Sequence, residues 1–373
     1  MTALDSIWLA RPDTPPTGPR AVAVKDLLDT AGLVTTYGSI IFAEHVPTQN
    51  AAAVDRLLEA GFTVAGKTNL HEFAYGISSQ NAHFGTVPNP RFPGRLAGGS
   101  SGGSAAAIAA GDVELALGTD SGGSIRIPAA WCGIVGFKPT FDLVDATGCF
   151  PLAPSYDHVG PMASTVAGCS ELMRALVPGF EVEEIDSLAE LRIGSTWLGE
   201  ADEPIRARVA AVTEALPGCA NVELPLPDPA ENRLFMREVA DVHRGLFPER
   251  GDEYGDGVRT KIERCFEVAD AEVGTAERLR TEYRERCSEI FESFDLLVAP
   301  AVAIEPPHVD IDELELRGRA IRLTYPVDSL GWPALAIPVG LTENGLPASI
   351  QLIGKPGADA LVLGAGALLA SLI

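Results

Sequence analysis

The chain predicts an α/β fold: one large domain with a central mixed, mostly parallel β-sheet covered by helices on both faces. Three observations lead there. Short apolar runs of strand composition alternate with segments of helical spacing, and a parallel neighbour strand requires such a crossover. The 373 residues exceed the roughly 150 of a typical domain, yet no internal repeat, low-complexity stretch or linker divides them. Hydrophobic residues make up 46% and charged residues 21%, the balance of a chain that buries a sizeable core and is not disordered.

The elements follow in order. Residues 1–20 are Pro-rich and read as a surface run, without an apolar stretch of signal-peptide length. Ala21-Val22-Ala23-Val24 is a strand leading into Lys25 and Asp26. Residues 48–60 have the apolar spacing of an amphipathic helix ended by Gly61, and residues 62–66 form a second strand. Residues 81–97, with Pro88, Pro90 and Pro93, describe a loop. Residues 98–112 (GGSSGGSAAAIAAGD) are a Gly/Ser turn feeding an alanine-rich helix capped by Gly111. A strand over 113–118 then leads to a second Gly/Ser turn at 119–124. Residues 171–295, rich in Glu, Arg and Ala, form a solvated helical layer. Residues 294–303, 333–340 and 348–353 return to buried-strand composition. The nearly uncharged stretch 360–373 is a packed helix, shorter than the roughly 20 apolar residues that cross a bilayer.

Charge and cysteine content narrow the function classes. Lys plus Arg number 28 and Asp plus Glu 51, a net charge of −23 that repels phosphate backbones and anionic lipid. Neither nucleic acid nor a membrane is expected as a direct partner. The six cysteines contain no C-x-x-C pair, so reduced thiols and a cytoplasmic location are expected, with no zinc site.

Among residues that carry chemistry, lysine is scarce: Lys25, Lys67, Lys138, Lys261 and Lys355 are all there are. Lys25 closes an apolar run, and burial there would disfavour its charge and suit it to act as a general base. The plainer reading is a strand-end lysine reaching water or pairing with Asp26. Neither Gly/Ser turn is followed by the lysine of a phosphate-binding loop. No serine stands three residues before a lysine, where Val22, Val64, Val135, Val258 and Leu352 are found, so serine-lysine enzymes of the S-x-x-K type are excluded. Residues 98–102 satisfy G-x-S-x-G, and Asp157 with His243 or His308 would complete that hydrolase triad, although the motif needs a strand directly before it. What remains is two serines, Ser100 and Ser124, each in a glycine-hinged turn; the plainer alternative has both turns merely capping helices.

The full string decides among these. GGSSGGS at 98–104, GTDSGGSIRIPA at 118–129 and CGIVGFKPT at 132–140 closely resemble the amidase signature family. The resemblance extends to AVAVKD at 21–26, to Gly66-Lys67-Thr68-Asn69 with Glu72-Phe73, to SYDHVGP at 155–161, and to the segments 332–334 and 351–354. It is weakest over about 171–295, and few residues precede Lys25. The resemblance implies one amidase domain over 1–373, with a catalytic signature core at 21–170, a shortened helical layer at 171–295 and sheet-completing strands and helix at 296–373.

It further implies a Ser-Ser-Lys triad, in which Ser124 is the nucleophile and Ser100 relays its proton to a neutral Lys25. A cis peptide is implied at Gly99-Ser100 or Ser100-Ser101. The N–H groups of Ser121, Gly122, Gly123 and Ser124 are the implied oxyanion hole. Ser101, Asp120 and Arg126 are its supports, and no metal or organic cofactor is expected. Phe73, Ala74, Tyr75 and Gly76, with Ile127 and Trp131, are expected to line an apolar or aromatic acyl pocket, unless they simply fill the core. His71, His83 and His158 receive no catalytic role. The expected function is hydrolysis of the C–N bond of a small-molecule carboxylic amide, with carbamates and esters as further candidates, by a monomer or homodimer. The alternatives are an amidotransferase component that acts on aminoacyl-tRNA with partner chains, which the −23 charge opposes, and a catalytically dead binding protein, which the presence of all three triad residues opposes.

Overall fold

Alternation along β2 (Ala21–Lys25) shows how the chain divides its apolar surface: Ala21 and Ala23 point into one hydrophobic core while Val22 and Val24 point into another. That period of two is the signature of a strand buried on both faces. The computed structural model describes residues 6–14 and 16–373; part of the predicted surface run, residues 1–5 and 15, lies outside the described residues.

The strands are β1 (Trp8–Ala10), β2, β3 (Thr63–Thr68), β4 (Gln80–Asn81), β5 (Gly85–Thr86), β6 (Leu115–Asp120), β7 (Val135–Lys138), β8 (His158–Ala163), β9 (Ile193–Ser195), β10 (Ala220–Asn221), β11 (Leu296–Pro300), β12 (Ala334–Leu341) and β13 (Pro347–Gly354). Apart from the small β4-β5 hairpin they form one mixed sheet, in the order β1-β3-β2-β6-β8-β7-β12-β13-β11-β9-β10. Parallel pairing runs through two flanks, β3-β2-β6 and β11-β9-β10. Between them β8, β7, β12 and β13 are antiparallel to their neighbours, so crossover counting describes the flanks and not the centre.

The helices are α1 (Ala52–Glu59), α2 (Gly102–Ala110), α3 (Arg126–Cys132), α4 (Val166–Leu176), α5 (Glu203–Ala215), α6 (Asn232–His243), α7 (Phe247–Arg250), α8 (Asp256–Phe266), α9 (Asp270–Ser288), α10 (Glu313–Ala320), α11 (Tyr325–Leu330) and α12 (Asp359–Ala370). Alanine-rich α2 and α3 cover one face, and α1, α4, α5 and α12 cover the other. The first helix starts later than its apolar spacing suggests. Ala51 is extended, and Asn50 instead ties the preceding turn by accepting from Ala31 N at 2.7 Å. The middle of the chain is not purely helical: β9 and β10 lie within it and lengthen the sheet, strands of three and two residues that are too short for a periodicity to register. Among the described residues all six cysteines are free, and no helix is long and apolar enough to cross a membrane.

Candidate active site

Because β3, β2 and β6 are parallel, their C-terminal ends reach one edge of the sheet, at Thr68, Lys25 and Asp120. That edge is where open α/β sheets bind ligands, and both Gly/Ser turns meet there.

The first turn holds Ser100. The Gly99-Ser100 peptide is cis, and the Ser100 carbonyl accepts from His71 N at 3.1 Å and Ser79 Oγ at 3.3 Å. Ser101 joins the two turns. Its hydroxyl donates to the Thr119 carbonyl at 3.1 Å and accepts from Thr119 N at 3.2 Å, while its own N–H donates to the Ser124 carbonyl at 3.1 Å.

Lys25 is fully buried, and its Nζ lies 2.7 Å from Ser100 Oγ and 2.7 Å from Thr119 Oγ1. Both partners are neutral hydroxyls, so nothing in direct contact offsets the cost of placing an ammonium out of water. Burial accordingly lowers the Lys25 pKa to about 7, with the more distant Cys149, Asp120 and Asp157 opposing the shift.

The second turn is organised by Asp120. Its carboxylate accepts from Gly123 N, from Ile125 N at 3.1 Å and from Arg126 Nε at 3.0 Å. Arg126 in turn reaches the Thr324 carbonyl at 3.0 Å, Asp328 Oδ2 at 2.7 Å and Gln351 Oε1 at 3.1 Å. Burial alone would raise the Asp120 pKa, but the Arg126 guanidinium outweighs it and holds the carboxyl well below its usual range. Gly123 has φ +126°, and a Cβ there would stand 2.2 Å from Thr324 Oγ1, so only glycine fits. Ser124 follows with 7% of its surface exposed. Ser121 is anchored by its hydroxyl, which donates to Asp157 Oδ1 at 2.6 Å.

Lys25, Ser100, Ser101, Asp120, Arg126 and the 121–124 turn therefore share one edge, but two sequence expectations need correction. Of the four N–H groups expected as oxyanion donors, that of Gly123 donates to Asp120 instead. Most of the expected pocket is core. Phe73, Ile127 and Trp131 are completely buried, Ala74 is nearly so, and a Cβ on Gly76 would collide with the His71 ring at 2.2 Å. Phe73 packs against Phe42, Phe150, His243 and Tyr254. Trp131 donates through Nε1 to the Ile304 carbonyl at 3.2 Å. Their size suits an interior as well as a pocket, and only tertiary neighbours distinguish the two. Tyr75 does line a cavity, of ≈ 560 Å³, together with Lys261, Arg317, Ile321 and Tyr325. A second cavity, of ≈ 220 Å³, is lined by Thr119, Ser121, Cys149 and Asp157.

Thr119, the second hydroxyl on Lys25, stands inside the GTDSGGS string, where nothing local sets it apart from its neighbours; Gln351 lies in a segment of resemblance that gave it no role, and Thr324, Tyr325 and Asp328 carry no local signal. His71 is buried 3.1 Å from Glu313 and its pKa falls to about 3 through burial; His158 is buried against Lys138 at 3.1 Å. His243 is packed in the Phe73 cluster and donates to or accepts from Tyr254 Oη at 3.0 Å, not Ser100, while Asp157 is spent on Ser121. A loop, not a strand, precedes Gly98, so the nucleophile-elbow arrangement is absent. Among the described residues no group of three His, Cys, Asp or Glu side chains is placed to hold a metal ion.

The chain matches the Amidase family model over residues 21–191 and 206–363, and it belongs to that family. Among its relatives, the AtzE component of 1-carboxybiuret hydrolase from Pseudomonas sp. (strain ADP) is 35% identical, with 95% of this chain and 84% of the relative covered. A glutamyl-tRNA(Gln) amidotransferase subunit from Haloarcula marismortui is 32% identical, with 96% of each covered. A crystal structure of an amidase superposes with a TM-score of 0.88 at 32% identity, covering 95% of this chain and 84% of that one.

Proposed function

We propose that the protein hydrolyses the C–N bond of a small carboxylic amide through an acyl-enzyme on Ser124. The observation that carries this reading is the Lys25 amine, withdrawn from water and flanked by two hydroxyls at 2.7 Å with no carboxylate in contact. An amine whose pKa is lowered to about 7 is free base in a useful fraction near neutral pH. Its lone pair takes the Ser100 proton as Ser100 takes that of Ser124, and Ser124 Oγ bonds to the amide carbon. The N–H groups of Ser121, Gly122 and Ser124 face the carbonyl oxygen as it gains charge. Lys25 returns the proton through Ser100 to the nitrogen, the C–N bond breaks and the amine leaves. Water then adds to the ester, giving its proton to the same relay, and the carboxylic acid departs with Ser124 restored.

The test is mass spectrometry after incubation with a fluorophosphonate. One adduct on Ser124 is expected, abolished in Ser124→Ala, whose thermal midpoint stays near wild type. An adduct on Ser100, or none, overturns the reading. A second reading, an amidotransferase component working with partner chains, is favoured by the 32% identity over 96% of this chain to a glutamyl-tRNA(Gln) amidotransferase subunit. Purification from the native host separates them: stoichiometric partner chains, and no amide hydrolysis without them, support the second reading.

A further inference from the structure

The larger cavity carries a charge opposite to that of the chain. The sequence holds 51 acids against 28 bases, yet Lys261, Arg264, Arg317 and Arg322 line this ≈ 560 Å³ space, with Asp228 the one acid among its lining residues. Two of the cations are already neutralised: Lys261 sits 2.9 Å from buried Glu313, and Arg322 pairs with Glu200. Asp228 caps its own turn, accepting from Ala230 N at 2.8 Å. Arg264 and Arg317 have no carboxylate within ion-pair distance among the described residues. Arg264 is exposed and screened by water. Arg317 is half-buried, its guanidinium 5.1 Å from the Tyr75 ring centre, which leaves its N–H fork without an anionic partner.

The cavity also adjoins the reacting end of the site. Tyr325, in its wall, has Cδ2 3.8 Å from the position a Cβ on Gly122 would occupy, and the preceding Thr324 donates to the Gly122 carbonyl at 2.7 Å. Tyr325 thus stands between the 121–124 turn and a cavity whose wall carries Tyr75 and the Arg317 guanidinium, which has no carboxylate in direct contact.

We infer that the substrate is an amide bearing a carboxylate at the end of a short apolar stem, and that Arg317 receives this carboxylate as a specificity-determining residue. A guanidinium fork matches a carboxylate with two parallel hydrogen bonds, and in a partly desolvated wall this pairing discriminates against neutral and cationic ends. The inference rests on the amide-hydrolysing reading of the site.

The test compares kcat/KM for glutaramate, pentanamide and 5-aminopentanamide, which share a stem and differ in terminal charge. Wild type is expected to prefer glutaramate over pentanamide by about tenfold or more, as charge-assisted pairs do. Arg317→Gln should bring that ratio close to one, chiefly through KM; Arg317→Lys should keep part of it; Arg317→Glu should turn the preference toward 5-aminopentanamide. In wild type, added salt should lower kcat/KM for glutaramate and not for pentanamide, a measurement that holds even if a variant fails to fold. An unchanged ratio in Arg317→Gln, or no preference and no salt effect in wild type that still forms the Ser124 adduct, overturns the carboxylate inference alone. Absence of both adduct and amide hydrolysis overturns the underlying reading and this inference with it.

Discussion

Two lysines on neighbouring strands are both completely withdrawn from solvent, Lys25 at the end of β2 and Lys67 on β3, where it pairs with Val24. Their surroundings differ in one respect. Lys25 meets two hydroxyls, whereas Lys67 donates to the Leu28 carbonyl at 2.6 Å and Thr35 Oγ1 at 2.7 Å and lies 3.1 Å from Asp26 Oδ1. Asp26 is itself held by Thr36, through N at 2.7 Å and Oγ1 at 2.6 Å. Burial pulls the Lys67 pKa down, but Asp26 opposes that shift directly, and the amine is committed to three acceptors. A buried lysine is thus a candidate base only where its neighbours leave it free to exchange a proton; beside a carboxylate it is held in a structural pair.

The largest expected effect separates the two by activity. Lys25→Ala should lower kcat by about 10²–10⁴, the range lost with a general base, while the protein remains folded by circular dichroism. Turnover that survives Lys25→Ala at near wild-type rate removes Lys25 from the proton relay. Lys67→Ala should act on stability instead, since it strands Asp26 as a buried charge at a cost of about 3–5 kcal/mol. Urea denaturation reads this loss, and Asp26→Asn in the Lys67→Ala background should recover part of it. A Lys67→Ala protein as stable as wild type but inactive would reverse the two roles.

The two lysines should also differ in their response to pH. With the Lys25 pKa lowered to about 7, kcat/KM should rise with pH below that value and level off above it. Stability should follow the same group. Between pH 7 and the ordinary value of 10.5 the unfolded chain carries a proton on Lys25 that the folded chain lacks, so stability rises with pH across that window. Lys25→Met should lessen this slope, to which Lys67, Lys138 and Lys261, also lowered by burial, add, as read from thermal midpoints at several pH values; a slope unchanged from wild type assigns the titration to those other groups. The smallest effect is expected from Thr119→Val, which removes one of the two hydroxyls on Lys25. A net hydrogen bond of about 1 kcal/mol corresponds to a fall of a few-fold in kcat. Loss of a bond that favours the protonated amine should also move the pH limb to lower values. A limb that moves upward, or not at all, shows that Thr119 does not hold the amine.

How much of this was legible depends on distance along the chain. The apolar run at residues 21–24 placed Lys25 at a strand end, and the glycine-serine strings placed Ser100 and Ser124 in turns. Strand alternation and glycine turns are local, decided by φ/ψ preferences and by which residues tolerate them. The partners that make the site were not local. Arg126 finds Asp328 and Gln351 more than 200 residues away, and Tyr325 enters the cavity wall from a helix that no motif marked. Whether Phe73, Ile127 and Trp131 face a ligand or a neighbour depends on what packs against them, because an apolar side chain gains the same free energy in a core as in a pocket. The two lysines make the point most directly. Sequence placed each just past the end of a strand, but the charge each carries is decided by the hydroxyls or the carboxylate that folding brings within 3.1 Å, since desolvation and pairing are properties of an assembled interior.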